Sequence, residues 1–395
     1  MTKYRLSIIF ISTLFLLVAS CSTDVELNAP YKNTAVVFAL LDPDPNGDNI
    51  SNNLDTQWVD IDRTFMGEGN NNVYAGIFDS VEYRDEDFVK RVVQKIAKGS
   101  SDVIEEYELK STLRPRSAGG VFPAENRVYY FEPPASGLSH EHDYRLLLQF
   151  TDGREVSAVT DMIKMVNNNF WVLPNGGSML KLANWNTTSN DATFITTQVK
   201  FFPPVNSISY DVSLRFNYIE KTYATPDLQG SPIKIESKWL NYPIGYVERE
   251  SVNGVQDVSV EFLTEGFYNA LSNSLVEGGN VCRQIGTYFD PPGDEAARTT
   301  CFEVQVAMSN TILKDYINSN TLNISVAQER PIYTNINNGI GIFASRSTIV
   351  LKDLPLTPDS GDEGNLKSFT RSNKLEKFSF CDPNPTSDYP CTCGN

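Results

Sequence analysis

The sequence predicts an all-β fold, mainly β-strands with a few short helices. Residues that favour strands are plentiful, with 22 Phe and 18 Tyr among the aromatic residues alone. Short apolar stretches with period-two alternation recur along the chain, and turns rich in Asn, Gly and Pro separate them. With 395 residues, the chain is long enough for two or three domains.

The N-terminus has the features of a lipoprotein signal peptide over residues 1–20. Lys3 and Arg5 precede an apolar run, residues 6–18, which is too short to span a bilayer. The run ends in the letters VASC, which resemble the bacterial lipobox, and Cys21 is the residue that would be lipidated. Two or three acyl chains such as palmitate would anchor the chain stably to a membrane. The alternative is an ordinary signal peptide followed by a cysteine by chance.

The charge of the chain is strongly negative. It has 49 acidic and 33 basic side chains, which give a formal net charge of −16. A surface of this sign disfavours nucleic acid and adhesion to anionic lipid by charge. We therefore predict no nucleic-acid partner, and membrane contact through the lipid anchor alone.

Composition divides the chain into five segments. Residues 166–190 are rich in Asn and Gly, and residues 355–373 are rich in Asp, Ser, Gly and Asn, so we place boundaries in these stretches. The predicted segments are a signal peptide (1–20), a tether (21–32), an immunoglobulin-like β-sandwich (33–167), a larger β-sandwich with two short helices (168–355) and a mobile Cys-containing tail (356–395).

The first domain contains several strand patterns. Residues 35–41 form an apolar strand, and residues 57–65 alternate, with Trp58, Asp60 and Asp62 on a wet face. Residues 88–97 fit a helix or a strand. A turn at residues 151–154 joins two strands, as in the last hairpin of many immunoglobulin-like sandwiches.

The second domain shows the most regular alternation. Residues 210–218 give the clearest period-two signal of the chain. A helix is predicted from Thr264, which we take as its N-cap, and a second helix over residues 309–318. Gly339 and Gly341 are interpreted as a backbone bend into a strand, because they do not fit G-x-G-x-x-G and no helix pattern follows.

Two motifs could bind metal, and a simpler interpretation is favoured for each. Residues 42–48 match the opening of a calcium loop, but its twelfth position is Asn53 and it contains two prolines, so a plain hairpin loop fits better. His140 and His142 could bind metal on one face of a strand, but a polar loop edge is the more common case. We predict no metal, no cofactor and no catalytic residues, since two histidines offer little for a catalytic triad.

The chain has six cysteines, and export permits disulfides. With Cys21 assigned to lipid, Cys282 and Cys301 flank a loop rich in Pro and Gly. A disulfide between them would contribute ~3 kcal/mol in the loop-entropy model. Cys381 is expected to pair with Cys391 or Cys393, and the choice stays open.

Three segments occur in an order that resembles a known family. They are GFYNAL at 266–271, DYI at 315–317 and YTNINNGIGIF at 333–343, and the strand at 55–61 is similar too. The chain resembles a family of Bacteroidota outer-membrane lipoproteins of unknown function, over most of residues 35–355. The resemblance implies an outer-membrane location, on the periplasmic or the cell-surface side, and a β-rich fold. Some members accompany TonB-dependent receptors, and no catalytic residues come with the resemblance.

These observations favour a lipoprotein that acts by binding rather than an enzyme. The first expectation is an accessory subunit of an outer-membrane β-barrel or TonB-dependent transport system, with an apolar or aromatic patch. The alternative is a free-standing surface protein that binds glycans or nutrients, in which Trp171, Trp185 and Trp239 could stack on sugar rings. Two exposed tryptophans in one groove would favour that alternative. A glycosidase with paired carboxylates is the weakest interpretation.

Overall fold

The structure is a computed structural model that describes most of the chain. The predicted signal peptide and tether lie outside the described residues, as do Cys21, Cys301, Cys391 and Cys393. Among the helices that are described, none is long and apolar enough to cross a membrane. The described ranges are 33–43, 56–64, 71–116, 120–134, 137–164, 170–173, 180–228, 230–252, 257–285, 302–321, 333–354 and 365–381.

The described residues confirm the all-β prediction, with nineteen strands and five short helices. The strands of the first half are β1 (Ala35–Leu41), β2 (Gln57–Arg63), β3 (Phe88–Ala97), β4 (Val103–Glu108), β5 (Lys110–Pro115), β6 (Glu125–Phe131), β7 (His142–Phe150), β8 (Glu155–Asp161) and β9 (Phe170–Leu173). Those of the second half are β10 (Ala183–Asn186), β11 (Asp191–Phe194), β12 (Thr196–Phe201), β13 (Ser209–Thr222), β14 (Lys234–Glu248), β15 (Val258–Leu263), β16 (Val281–Ile285), β17 (Phe302–Ser309), β18 (Gly339–Leu354) and β19 (Phe380–Cys381). The helices are α1 (Asn71–Ala75), α2 (Phe78–Val81), α3 (Thr264–Ser274), α4 (Thr311–Thr321) and α5 (Asn365–Thr370).

One long sheet runs through the molecule. Its strand order is β19-β16-β13-β17-β18-β1-β2-β6-β5, and β14 pairs with the other edge of β13. The remaining strands form a four-stranded sheet (β4-β3-β7-β8), a three-stranded sheet (β15-β12-β9) and a small pair (β10-β11). The long sheet therefore links the early and the late parts of the chain.

Strand β18 belongs to both halves of the long sheet. Its residues 339–345 pair in parallel with β1, and its residues 346–354 pair antiparallel with β17. Phe343 lies in the core of the first half and Ile349 in the core of the second. Because these residues are six apart on one strand, both cores lie on the same face of the long sheet. We call the opposite face the open face.

The pairing of β18 with both β1 and β17 differs from the predicted assignment of this strand to a single domain. The sequence predicts that the whole stretch lies in the second sandwich, 168–355, whereas the first half of β18 pairs with β1. Spacing along the chain cannot reveal such a pairing, because it joins residues some 300 positions apart. The domain limits as a whole stay a prediction.

The predicted bend at the start of β18 is confirmed. Gly341 has a φ of +111°, and a Cβ at this position would overlap the carbonyl oxygen of Val37 on β1. Glycine is required here both for its conformation and for the close approach of the two strands. The Asn335 side chain supports the bend by accepting a hydrogen bond from Phe343 N–H (3.0 Å) and donating one to its carbonyl oxygen (2.7 Å).

The alternation predicted for residues 210–218 is also confirmed, within a longer strand. Five side chains of β13 face inward and are buried. Phe216 is the centre of an aromatic cluster, with ring centroids 4.9 Å from Phe302 and 5.3 Å from Phe369. Burial of each such side chain stabilises the fold by about 2 kcal/mol. The inward-facing residues of β13 are Tyr210, Val212, Leu214, Phe216 and Tyr218.

The prediction of a mobile tail is wrong for residues 365–381. These residues form α5 and β19, and Phe369, Phe378 and Phe380 are buried in the second core. Strand β19 pairs in parallel with β16. Phe369 stands in a polar stretch that gave no sign of burial, because the core that it reaches is built by distant strands.

Two local predictions are settled by tertiary contacts. Residues 88–97, which fitted a helix or a strand, form strand β3 between β4 and β7. Thr264 is not the N-cap of α3, which is Leu263. The Thr264 hydroxyl instead donates to the Leu182 carbonyl oxygen (2.7 Å) and accepts from Ile195 N–H (3.0 Å), so it fastens the helix to neighbouring backbone.

Candidate functional site

Strand β2 places an aromatic residue and two acids on the open face. Val59 and Ile61 are buried in the first core, so the alternating residues Trp58, Asp60 and Asp62 point to the other side. The Trp58 side chain is 36% exposed. The predicted wet face of this strand is therefore confirmed.

The neighbouring strands fix the position of Trp58. Tyr130 on β6 lies directly opposite in the strand register, and the two ring centroids are 5.4 Å apart. The Arg114 guanidinium on β5 lies 3.9 Å from the centroid of the indole ring. Cation–π contact of this kind orients both side chains at a partly exposed position. The two rings are tilted by 43° to each other, and the guanidinium lies over the indole ring.

Asp60 and Asp62 continue the site along β2. Both are half-buried, and no hydrogen bond joins either carboxylate to another described residue. Burial raises the pKa of Asp60, against the opposing effect of Arg114 and Arg116. Burial, together with the nearby Asp60 charge, raises the pKa of Asp62 to about 6. Shifted carboxylates with unused acceptor capacity are typical of functional sites.

Glu82 and Arg116 complete the site from outside β2. Glu82 is 1% exposed and forms an isolated β-bridge with Asp62. Its Oε2 accepts a hydrogen bond from Arg127 N–H (2.8 Å), while Arg116 Nη2 lies 3.6 Å from its Oε1. Burial raises the pKa of Glu82. We call this set the Trp58 site: Trp58, Asp60, Asp62, Glu82, Arg114, Arg116 and Tyr130.

Helix α4 lies on the open face beside the Trp58 site. Its Tyr316 ring packs edge-on against Phe38 of β1, with centroids 6.4 Å apart. Asn310 caps the helix by accepting from Leu313 N–H (3.0 Å), and it donates to Asp161 Oδ1 (2.7 Å) at the end of β8. The helix is therefore tied to both halves of the molecule and bounds the site on the β1 side.

The three tryptophans that could stack on sugars have different positions. Trp239 on β14 is 61% exposed, and the Arg215 guanidinium lies 4.9 Å from its ring centroid. Trp185 is only 5% exposed, so it is a core residue. The Trp171 side chain lies outside the described part of the structure. Trp58 was not among these candidates, although its alternation with Asp60 and Asp62 was visible in the sequence.

The two motifs that could bind metal lie only partly within the described residues. The Asp42 carboxylate lies 3.4 Å from Arg346 Nε, and residues 44–50 of the possible calcium loop lie outside the described residues. His142 begins β7, and burial together with Lys164 lowers the pKa of His140. Across the described residues, no group of three or more His, Cys, Asp or Glu side chains is placed to hold a metal ion.

Of the six cysteines, Cys282 and Cys381 lie within the described residues. Cys282 and Cys381 are buried against Tyr223, and each is disulfide-bonded. The pair Cys282–Cys301 stays a prediction, because Cys301 lies outside the described residues. The same holds for lipidation at Cys21.

A second concave surface lies beside the β3–β4 ladder, with a volume of about 490 Å³. Its charges are paired with one another, since Lys90 Nζ lies 2.8 Å from Glu106 Oε1 and Arg91 Nη1 lies 2.9 Å from Asp85 Oδ1. Because these side chains are already paired, they have fewer free hydrogen-bonding groups for a ligand than Asp60 and Asp62 at the Trp58 site. The lining residues are Asp85, Phe88, Val89, Lys90, Arg91, Val92, Glu106 and Glu108.

Replacement of Asp62 by asparagine is expected to stabilise the protein at neutral pH. The folded-state pKa of Asp62 is raised to about 6 from 3.8, so the folded state favours the protonated form and loses stability as the pH rises from about 4 to 6. The shift corresponds to about 3 kcal/mol at most, and partial exposure reduces it to about 1–2 kcal/mol. Urea unfolding should show this gain at pH 7.5 and none at pH 4.

The control for this prediction is Asp102→Asn, at an exposed turn between β3 and β4. We expect this variant to change the unfolding midpoint little at either pH. A loss of stability for Asp62→Asn at pH 7.5, or an equal gain at both pH values, would contradict the burial of an unfavourable charge at the Trp58 site.

Sequence comparisons with known proteins leave the resemblance untested. No family model matches the chain, and no curated protein matches it. Membership of the Bacteroidota lipoprotein family therefore stays a prediction.

Proposed function

We propose that this chain is a lipid-anchored outer-membrane lipoprotein that acts by binding, and that the Trp58 site binds a glycan. One observation carries the proposal. A partly exposed tryptophan, held by Tyr130 and Arg114, lies on the same strand face as two half-buried carboxylates that no described residue hydrogen-bonds.

The chemistry of this set matches that of a sugar. A sugar ring has apolar C–H faces that pack on an aromatic ring, and a rim of hydroxyl groups. Ionised Asp60 and Asp62 only accept hydrogen bonds, and the guanidinium groups only donate them, so together they can satisfy hydroxyl groups of both kinds. Hydrogen bonds to charged groups contribute about 1.5–3 kcal/mol each when water is excluded.

Binding rather than hydrolysis is proposed because the carboxylates Asp60 and Asp62 lie on the same strand face as the partly exposed Trp58, the group that would pack on a sugar ring. The negative charge of −16 also supports a partner other than nucleic acid.

The predicted lipid anchor would place the glycan-binding site at the outer membrane. Acylation at Cys21 and the short tether would hold the described domains close to the outer membrane. A glycan-binding surface at that position would collect or retain carbohydrate at the cell envelope.

The accessory-subunit expectation is kept as a second candidate because of strand β14. This strand pairs only with β13 among the described strands, and Ile233 and Ile235 at its N-terminal end are exposed. Exposed edges of this kind accept partner strands. Recovery of a β-barrel protein at a one-to-one ratio from membranes solubilised in mild detergent would favour this candidate.

The glycan proposal is tested with the mature lipoprotein in mild detergent on a glycan array. We expect saturable binding to at least one glycan class and none to spots without glycan. Failure to bind any glycan on a broad array would contradict the proposal.

A further inference from the structure

We infer that the Trp58 site is one part of a wider binding surface that reaches Phe38 and helix α4, and that its ligand is an oligosaccharide rather than a single sugar. This inference rests on the proposed glycan binding and names the class of glycan. It depends on the exposed ring of Phe38 and on the way in which helix α4 bounds the open face.

Phe38 lies on the open face of β1, next to the Trp58 site. Its neighbours Val37 and Ala39 are buried in the first core, so the Phe38 ring points to the other side, where it is 42% exposed. In the strand register Phe38 lies directly opposite Asp60. Trp58 is two residues from Asp60 along β2, and diagonal neighbours of this kind lie about 7–8 Å apart. Asp60 therefore has Phe38 beside it across the strands and Trp58 beside it along its own strand.

Helix α4 covers the open face on the other side of Phe38. Ile342 of β18 is the partner of Phe38 in the parallel register, so it points to the same face, yet it is buried. Helix α4 packs on β18 and accounts for this burial. The open face is therefore covered at β18, and Phe38 is exposed at the edge of the covered part.

The surface between helix α4 and strand β6 is wider than one sugar ring. Strands β1, β2 and β6 are consecutive neighbours in the long sheet, and two strand spacings amount to about 10 Å. Tyr316 of α4 stands at the β1 side, and Tyr333 packs behind it with ring centroids 6.5 Å apart. Tyr130 lies at the β6 side. A single sugar at Trp58 would leave Phe38 in contact with water, whereas a further sugar residue would cover it.

The side chains along this surface suit successive sugar residues. Phe38 offers a second apolar surface on which a sugar face can pack. The Asp60 carboxylate between the two aromatic residues accepts hydrogen bonds from sugar hydroxyls, and the Tyr316 hydroxyl can both donate and accept them. Each further sugar that reaches this surface buries more apolar area, so affinity should rise with chain length until the surface is filled.

The test measures affinity against chain length by calorimetric titration of the full mature chain in mild detergent. The probes are malto-, cello-, xylo- and manno-oligosaccharides of one to six sugar residues, together with the oligomers of any other glycan that binds on the array. We expect at least one series in which affinity rises at least tenfold from the monosaccharide to the tetrasaccharide and then levels off. Equal affinity for the two in every series that binds overturns the inference but leaves glycan binding intact, whereas binding to no glycan here or on the array overturns both.

Two variants locate the effect. Phe38→Ala should reduce affinity for the tetrasaccharide at least fivefold and change affinity for the monosaccharide less than twofold. Tyr316→Ala should act in the same direction, which keeps the test valid if one variant fails to fold. Phe202→Ala is the matched control, since Phe202 is 41% exposed directly after β12 of the three-stranded sheet, and it should bind every length like the wild type. A folded Phe38 variant that keeps the full rise of affinity with chain length would contradict the inference.

Discussion

Replacement of Gly341 by alanine is expected to destabilise the protein by about 3–5 kcal/mol, because two penalties add at this position. The φ of +111° is strained for any residue with a Cβ. The new methyl group would also overlap the carbonyl oxygen of Val37, so β1 and β18 would have to move apart. A loss of this size is a large fraction of the stability of an ordinary domain.

The measurement is the free energy of unfolding in urea, with Gly153→Ala as the matched control. Gly153 also has a positive φ, +87°, in the turn between β7 and β8, but a Cβ there would meet nothing within 4 Å. We expect the control to lose only about 1–2 kcal/mol, the cost of backbone strain without a clash. Equal losses in the two variants would show that β1 and β18 do not pair as closely as described.

The importance of Gly341 could be predicted only in part. The sequence indicated a bend that leads into a strand, because its two glycines stood before an apolar run without a helix pattern. The parallel partner of that strand, β1, lies some 300 residues earlier, and no local pattern encodes such a pairing. The sequence therefore assigned the residues of β18 to one sandwich, whereas they contribute side chains to both hydrophobic cores.

The same limit applies to the Trp58 site. Alternation along β2 placed Trp58, Asp60 and Asp62 on one wet face, so half of the site was visible in the sequence. Glu82 and Arg116 lie at least 20 residues further along the chain, and only the bridge to Asp62 and the register of β5 with β6 bring them near. The C-terminal stretch shows the same limit for a core residue. Phe369 is fully buried, although its polar neighbours in the sequence gave no reason to predict burial.

Replacement of Trp58 by alanine is expected to weaken glycan binding by roughly tenfold to a hundredfold. The variant removes the aromatic surface on which the sugar ring would pack, and loss of such contact costs about 1.5–3 kcal/mol. The fold should be little affected, because the Trp58 side chain is partly exposed and lies outside both cores. The change should therefore appear in affinity and not in the unfolding midpoint.

The most direct test of the proposed binding site is a calorimetric titration with the glycan that binds most strongly on the array. The wild type is compared with Trp58→Ala and with Trp239→Ala, the matched control, which also removes an exposed tryptophan beside an arginine. We predict a loss of at least tenfold for Trp58→Ala and a change of less than about twofold for Trp239→Ala. Full affinity in Trp58→Ala, with or without a loss in Trp239→Ala, would contradict a binding site at Trp58.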